Sequence, residues 1–108
     1  MSRIDDLFHH NERSEKSLER YLVARVEELG GKALKYYNAN ATGYPDRLCM
    51  LPGGVTFWVE LKSAGKKSRP LQELRQNQLL GLGQNVYVCD SVETVDDVID
   101  KHAKEMQS

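Results

Sequence analysis

Apolar residues recur along this chain at two different spacings, and each spacing predicts one kind of element. From about Ser14, apolar side chains fall three or four residues apart, as at Leu18, Leu22 and Val26. That spacing is typical of an α-helix with one buried face. Gly30-Gly31 predicts its end, because glycine adopts the left-handed C-terminal conformation at little cost.

The clearest strand pattern lies between residues 55 and 62, where apolar and polar side chains alternate. One face is predicted to carry Val55, Phe57, Val59 and Leu61, and the other Thr56, Trp58, Glu60 and Lys62. Shorter apolar runs predict strands over residues 33–37, 47–51 and 86–89. Pro52-Gly53-Gly54 predicts a hairpin turn, since glycine supplies the positive φ that such turns need.

Two further segments have helical spacing. Ser68 is predicted to cap the first, with Pro70 in its opening turn and Gly83 at its end; its apolar stripe comprises Leu71, Leu74, Gln78, Leu79 and Leu82. The second opens at Ser91 and places Val95, Val98, Ile99 and His102 on one face.

The predicted element order is αβββαβα, which indicates an α/β fold. The third strand, the next helix and the fourth strand form a β-α-β unit, which makes those two strands parallel. Short turns join the first three strands, so they are expected to be antiparallel. We therefore predict a mixed four-stranded sheet flanked by helices, as a single domain over residues 14–108, preceded by a loose N-terminal arm over residues 1–13.

Composition is typical of a globular domain, with 40% hydrophobic and 29% charged residues. No apolar run approaches the roughly 20 residues that span a bilayer, and residues 1–13 lack the apolar region of a secretory signal. We therefore expect a cytoplasmic protein, of cellular or phage origin, with no membrane partner. Cys49 and Cys89 lie in apolar segments and are predicted to be reduced core thiols.

Positive charge is concentrated in one segment, although the net charge of the chain is -1. Five cations and one acid lie between Lys62 and Arg75, and this basic segment is expected to hold phosphates. The candidate contacts to DNA are Lys35, Lys66, Lys67, Arg69 and Arg75. Tyr36, Tyr37 and Asn40 precede the acidic residues described next, and they are candidates for contacts with phosphates or bases.

Three ionisable residues are predicted to meet at one edge of the hairpin. Glu60 and Lys62 leave the same face of their strand, and Asp46 opens the strand that pairs with it. Two carboxylates so close repel each other unless a cation lies between them. Oxygen ligands suit Mg²⁺ or Mn²⁺, and a nearby ammonium could orient water or stabilise negative charge.

The same residues resemble a known signature. Pro45-Asp46 followed by Glu60-Leu61-Lys62 is similar to the PD-(D/E)xK motif of restriction-endonuclease-like nucleases. The wider pattern resembles the virus-type replication-repair nuclease (VRR-NUC) domain: a Glu in the first helix, Gly43-Tyr44-Pro45-Asp46, residues 57–62, and a Gln about eleven residues before a glycine. The opening helix, at residues 18–23, also resembles that of Holliday-junction resolvases.

The resemblance implies roles for individual residues. Asp46, Glu60 and Glu19 would be metal ligands, with the Leu61 backbone carbonyl as a further donor. Lys62 and Gln72 would be catalytic beside Asp46 and Glu60. Glu15 is the alternative to Glu19 if the helix register is different, and Gln76 and Gln78 compete with Gln72.

The resulting prediction is a Mg²⁺- or Mn²⁺-dependent endonuclease that hydrolyses DNA phosphodiester bonds. Branched DNA such as a Holliday junction is the expected substrate, and a homodimer the expected assembly, because two symmetric sites can cut two strands. Two alternatives remain open: a non-catalytic module that binds branched DNA, and an RNA-directed nuclease of the same fold.

Overall fold

The computed structural model describes residues 14–107, which form three α-helices, four β-strands and a final 3-10 helix. The order is α1 (Glu15–Glu28), β1 (Lys32–Lys35), β2 (Arg47–Leu51), β3 (Val55–Leu61), α2 (Pro70–Gly81), β4 (Val86–Cys89), α3 (Val92–Ala103) and the 3-10 helix (Lys104–Gln107). The order αβββαβα is confirmed over this range. The loose arm predicted for residues 1–13 lies outside the described residues.

The four strands form one mixed sheet in the order β1-β2-β3-β4. β1 pairs antiparallel with β2, β2 antiparallel with β3, and β3 parallel with β4, as predicted. In the β2–β3 hairpin, Arg47 lies opposite Val59 and Leu51 opposite Val55. This register brings the start of β2, where Asp46 lies, beside the end of β3.

The hydrophobic core lies between one face of the sheet and the helices α1 and α3. Phe57, Val59 and Cys49 of the sheet are fully buried against Leu22 and Ile99 of the helices. Both cysteines are buried free thiols, as expected. The helices are also joined by polar contacts, since Asp96 accepts hydrogen bonds from Tyr21 and Arg25.

The helix α2 differs from the prediction in its start and in its packing. Arg69, not Ser68, is the N-cap residue, and Pro70 occupies the first helical turn. Leu79 is its one buried residue among those described, whereas Leu71, Leu74 and Leu82 are exposed. Apart from Leu79, the predicted apolar stripe therefore points away from the core.

Strand limits differ from the predictions by one or two residues. β1 ends at Lys35 rather than Tyr37, and β3 ends at Leu61 rather than Lys62, while β2 and β4 have the predicted limits. Ser91 caps α3 by accepting a hydrogen bond from the Thr94 amide. None of the helices in residues 14–107 is long and apolar enough to cross a membrane.

Candidate functional site

Asp46 is fixed between two strands at one edge of the sheet. Its backbone carbonyl accepts a hydrogen bond from the Tyr36 amide at 3.0 Å, just beyond the end of β1. Its side-chain Oδ2 accepts from the Leu61 amide at 2.8 Å, at the end of β3. Asp46 is therefore held beside Glu60-Leu61-Lys62, as the motif predicts.

Glu60 and Lys62 form a buried ion pair on the face of β3 away from the hydrophobic core. Glu60 is 2% exposed and Lys62 is 7% exposed. The Lys62 Nζ atom lies 3.2 Å from Glu60 Oε2. A buried charged pair destabilises the fold unless further polar groups form hydrogen bonds with it.

Gln72 of α2 supplies those partners. Its Nε2 donates to Glu60 Oε2 at 2.9 Å, and its Oε1 accepts from Lys62 Nζ at 2.7 Å. The competing glutamines bond elsewhere: Gln76 donates to Ser68 Oγ, and Gln78 accepts from Arg75. Of the three candidates, Gln72 is therefore the one that contacts the buried pair.

The two carboxylates at this edge both hold their protons more tightly than usual. Burial, followed by repulsion from Asp46, raises the pKa of Glu60 to about 7. Burial also raises the pKa of Asp46, against the hydrogen bond from the Leu61 amide. Mutual repulsion of this kind is relieved when a cation lies between the groups.

One oxygen of Glu60 has no protein partner. Among buried side-chain polar atoms in residues 14–107, Glu60 Oε1 alone lacks a hydrogen bond. A buried carboxylate oxygen left unpaired costs about 1–3 kcal/mol or more, so its environment favours a bound cation. The donors around it are oxygens, the set that Mg²⁺ and Mn²⁺ prefer. No three acidic, His or Cys side chains of the described segment cluster around one point; a bound ion would therefore need backbone or water oxygens as well.

The acidic residues of α1 have different surroundings. Glu19 Oε2 accepts a hydrogen bond from Arg47 Nε at 2.7 Å, and Arg47 also donates to the Ala33 carbonyl. The negative charge of Glu19 raises the pKa of Asp46. Glu15 raises the pKa of both Asp46 and Glu60. Both glutamates therefore act on Asp46, Glu15 acts on Glu60 as well, and Glu19 is paired with an arginine.

Most predicted DNA contacts lie near the same edge. Lys66, Lys67 and Arg69 are exposed in the loop between Lys62 and α2. Arg75 extends from α2 and donates to the Thr42 carbonyl at 2.9 Å. Lys35 is the exception: it pairs in register with Arg47, so strand alternation directs it to the face opposite Tyr36 and Glu60.

An aromatic cluster beside the carboxylates was not recognised as a unit from the sequence. The ring of Tyr36 meets those of Tyr44 and Trp58 edge-on, with centroids 5.5 and 5.2 Å apart. The Arg75 guanidinium lies over the Tyr44 ring at 5.0 Å. The abundance of aromatic residues before Asp46 was the available signal, but their convergence with Trp58 depends on the register of three strands.

Known proteins similar to this chain include a phage protein named as a nuclease and a VRR_NUC domain. No family model matches the sequence. The chain is 42% identical over 77 residues to "Putative nuclease p44" of Acyrthosiphon pisum secondary endosymbiont phage 1, an alignment covering 71% of this chain and 83% of that protein. It is also similar to a solved structure described as "VRR_NUC domain", with a TM-score of 0.76 and 34% identity over 80% of this chain and 94% of the other.

Proposed function

This chain belongs to the VRR_NUC domain family and is a nuclease, and we propose that it is a metal-dependent endonuclease that hydrolyses DNA phosphodiester bonds. The observation that carries the proposal is the unpaired, buried Glu60 Oε1 beside a second carboxylate with a raised pKa. An unpaired buried carboxylate oxygen lowers the stability of a domain that only binds DNA, whereas in a nuclease it can act as a metal ligand.

Asp46, Glu60 and the Leu61 carbonyl would hold the ion. The Leu61 amide points toward Asp46, and a residue in a strand directs its carbonyl to the same edge as its amide. A bound Mg²⁺ or Mn²⁺ would supply an activated water and neutralise charge on the phosphate. Lys62 would orient that water or stabilise the negative charge that develops on the phosphate oxygens. Gln72 would hold the Lys62 ammonium in place.

The third acidic group would come from α1, and we favour Glu15 over Glu19. Residues four apart lie on the same helix face, so both are near the site. Glu19 is already neutralised by Arg47 at 2.7 Å. Glu15 is exposed and acts on both carboxylates, which leaves it available to a metal ion through a bridging water.

Branched DNA is the substrate that we propose. Lys66, Lys67 and Arg69 are exposed cations beside the buried pair, and they can contact phosphates without reading bases. The described domain has no helix left over to enter a major groove, since α1 and α3 are occupied by the core and α2 by the site. Recognition would then depend on DNA shape.

We also propose that two copies act together as a homodimer. Leu74 of α2 and Leu82, which follows α2, are exposed, and Val88 of β4 is exposed as well. Covering these residues with a second copy would bring two sites onto one branched substrate. Light scattering should then report twice the mass of one chain, and Leu74→Asp with Leu82→Asp should shift it to one.

A cleavage panel tests the catalytic proposal. Four-way junction, flap, nicked, single-stranded and duplex DNA, with one RNA duplex, would be incubated in EDTA, Mg²⁺, Mn²⁺ or Ca²⁺. We expect cleavage of branched DNA with Mg²⁺ or Mn²⁺ and none in EDTA. Glu60→Gln serves as the inactive control. Binding without cleavage under every condition would support the non-catalytic alternative, and preferential RNA cleavage the RNA-directed one.

A further inference from the structure

The loop between β1 and β2 forms a small, half-open cavity next to Asp46. Its lining includes Tyr36, Tyr37, Asn38, Thr42 and Tyr44, and its volume is about 240 Å³. That volume is below the roughly 300–1,000 Å³ of sites that enclose a whole drug-sized ligand. The cavity therefore suits one planar ring system, not an extended molecule.

Hydrogen bonds within the loop and a close approach to α2 hold the loop in place. Asn38 Oδ1 accepts hydrogen bonds from the Asn40 and Ala41 amides, and its Nδ2 donates to the Tyr36 hydroxyl. Gly43 has a φ of +93°, and a Cβ there would lie 2.8 Å from Leu71 Cγ. A preformed wall of this kind binds a planar ligand at low entropic cost.

One tyrosine of the wall has its ring free for contact. Tyr37 is 82% exposed, although it lies between the half-buried Tyr36 and Asn38. The hydroxyls of Tyr37, Thr42 and Tyr44 have no hydrogen bond within residues 14–107. An exposed aromatic face with unused hydroxyls is the pattern that stacks on a nucleobase and bonds its edge.

The cavity is also close to the place where the phosphate would be cleaved. The Tyr36 amide bonds to the Asp46 carbonyl at 3.0 Å, so the cavity wall and a carboxylate of the site are adjacent. Arg75 lies over Tyr44 and bonds to the Thr42 carbonyl, which places a cation at the rim for a neighbouring phosphate.

We propose that this cavity takes one unstacked nucleobase from the strand being cut, with Tyr37 as the stacking surface. The proposal rests on the proposed nuclease function and deepens it by naming what is read in the substrate. A base inside a perfect duplex is stacked and cannot enter, whereas a base at a branch point or in a flap can. The cavity therefore makes unpaired nucleotides next to the cut a requirement for tight binding.

Equilibrium binding in EDTA tests the proposal separately from cleavage. The probes are flap DNA with 2-aminopurine at successive unpaired positions next to the branch, and the same DNA with an abasic site at each. We expect one position at which wild-type protein quenches 2-aminopurine and binds about tenfold more tightly than the abasic form. Tyr37→Ala should lose that difference, and Tyr37→Phe should keep it. Leu80→Ala, an exposed residue near the C-terminal end of α2, is the matched surface control.

The outcomes separate the cavity from the chemistry. Equal binding of base-containing and abasic DNA by wild type at every position would overturn the proposal. The proposal would also be overturned if Tyr37→Ala bound the base-containing and the abasic DNA more weakly by the same factor, because loss of a phosphate contact produces that pattern. Base-dependent binding without cleavage in Mn²⁺ would support the cavity and contradict the nuclease proposal. Cleavage without base-dependent binding would support the nuclease proposal and contradict the cavity proposal.

Discussion

Gln72 donates a hydrogen bond from Nε2 to Glu60 Oε2 across 2.9 Å, linking the helix α2 to the buried end of β3. The same side chain accepts from Lys62 Nζ. Gln72 therefore satisfies one oxygen of the carboxylate while the other, Oε1, remains unpaired. The carboxylate is therefore held by α2 through one oxygen, while its second oxygen is buried without a protein partner.

Replacing Gln72 should impair catalysis without unfolding the protein. In Gln72→Ala, Glu60 and Lys62 lose their shared partner, so the geometry of the ion pair relaxes. Groups that orient a metal ligand typically contribute 10- to 100-fold in metal affinity or activity, and we expect a loss of that size. Gln76→Ala is the matched control, since Gln76 bonds to Ser68 instead. Equal losses in both variants would contradict a role for Gln72 in the site.

The stability of the metal-free protein should fall as pH rises through neutrality. The pKa of Glu60 is about 7 when folded, against about 4.3 when unfolded. Between those values the folded state binds the additional proton, so the free energy of unfolding decreases with pH. The stabilising contribution is complete below about pH 4 and is lost as pH passes through about 7. The raised pKa of Asp46 acts in the same direction.

Thermal unfolding in EDTA between pH 5.5 and 8 measures this effect. Glu60→Gln should flatten the pH dependence and unfold at a higher temperature than wild type at pH 8. Adding Mg²⁺ should stabilise the wild type more at pH 8 than at pH 6, because ionised carboxylates are the ligands. A wild-type stability that increases from pH 6 to pH 8 in EDTA would contradict the assigned protonation.

Much of the fold follows from local pattern, and the sequence predicted it. The alternation in residues 55–62 and the turn at Pro52-Gly53-Gly54 fix the hairpin, and the hairpin alone brings Asp46 beside Glu60. The packing of α2 could not be derived in this way. Its leucines have the spacing of a buried stripe, but α2 buries only Leu79 of them among the described residues and directs Gln72 at Glu60 and Lys62.

The sequence predicts Glu19 as the acidic ligand of α1 and Glu15 as its alternative, and a tertiary contact bears on that choice. Residues four apart share a helix face, so periodicity gives both the same status. What distinguishes them is Arg47, which lies opposite Val59 only once the β2–β3 register is set. The ion pair between Arg47 and Glu19 is therefore a tertiary contact that no local pattern reveals.

Two single substitutions distinguish these glutamates. Glu15→Gln should lower the cleavage rate at subsaturating Mg²⁺ at least tenfold, because it removes the acidic group whose charge acts on both carboxylates. Glu19→Gln should change cleavage little and instead lower the midpoint of thermal unfolding, because Arg47 loses its partner in a half-buried position. The opposite pattern would return the metal-ligand role to Glu19.

Gly43→Ala should destabilise the loop that carries the aromatic cluster. Its φ of +93° is unfavourable for alanine, and the added Cβ would meet Leu71 at 2.8 Å. Backbone strain of this kind costs about 1–3 kcal/mol. Gly54→Ala is the control, because Gly54 has a φ of +78° and no neighbouring atom within 4 Å. In chemical denaturation, Gly43→Ala should lower the free energy of unfolding more than Gly54→Ala does. Equal losses would show that the contact with Leu71 does not affect stability.

The exposed cations in the loop between Lys62 and α2 should determine the affinity for DNA, whereas Lys62 should determine the rate of cleavage. Lys62 is buried and committed to Gln72 and Glu60, so Lys62→Ala should abolish cleavage and leave binding largely intact. Lys66, Lys67 and Arg69 are exposed, and replacing all three with alanine should reduce the slope of log affinity against log salt by about 0.9 for each phosphate that is no longer neutralised. Binding would be measured in Ca²⁺ between 50 and 200 mM salt, roughly the range in which counterion release dominates.

A matched triple variant controls for the change in net charge. Lys32, Lys101 and Lys104 are also exposed, but Lys32 opens β1 at the hairpin end of the sheet, and the other two lie at the C-terminal end of α3 and just after it. Replacing them changes the total charge by the same amount and removes no cation near the buried pair. If affinity depended only on total charge, both triple variants would lose binding equally. A selective loss in the Lys66, Lys67 and Arg69 variant places the phosphate contacts at the N-terminus of α2, because local cations release the counterions and distant ones do not.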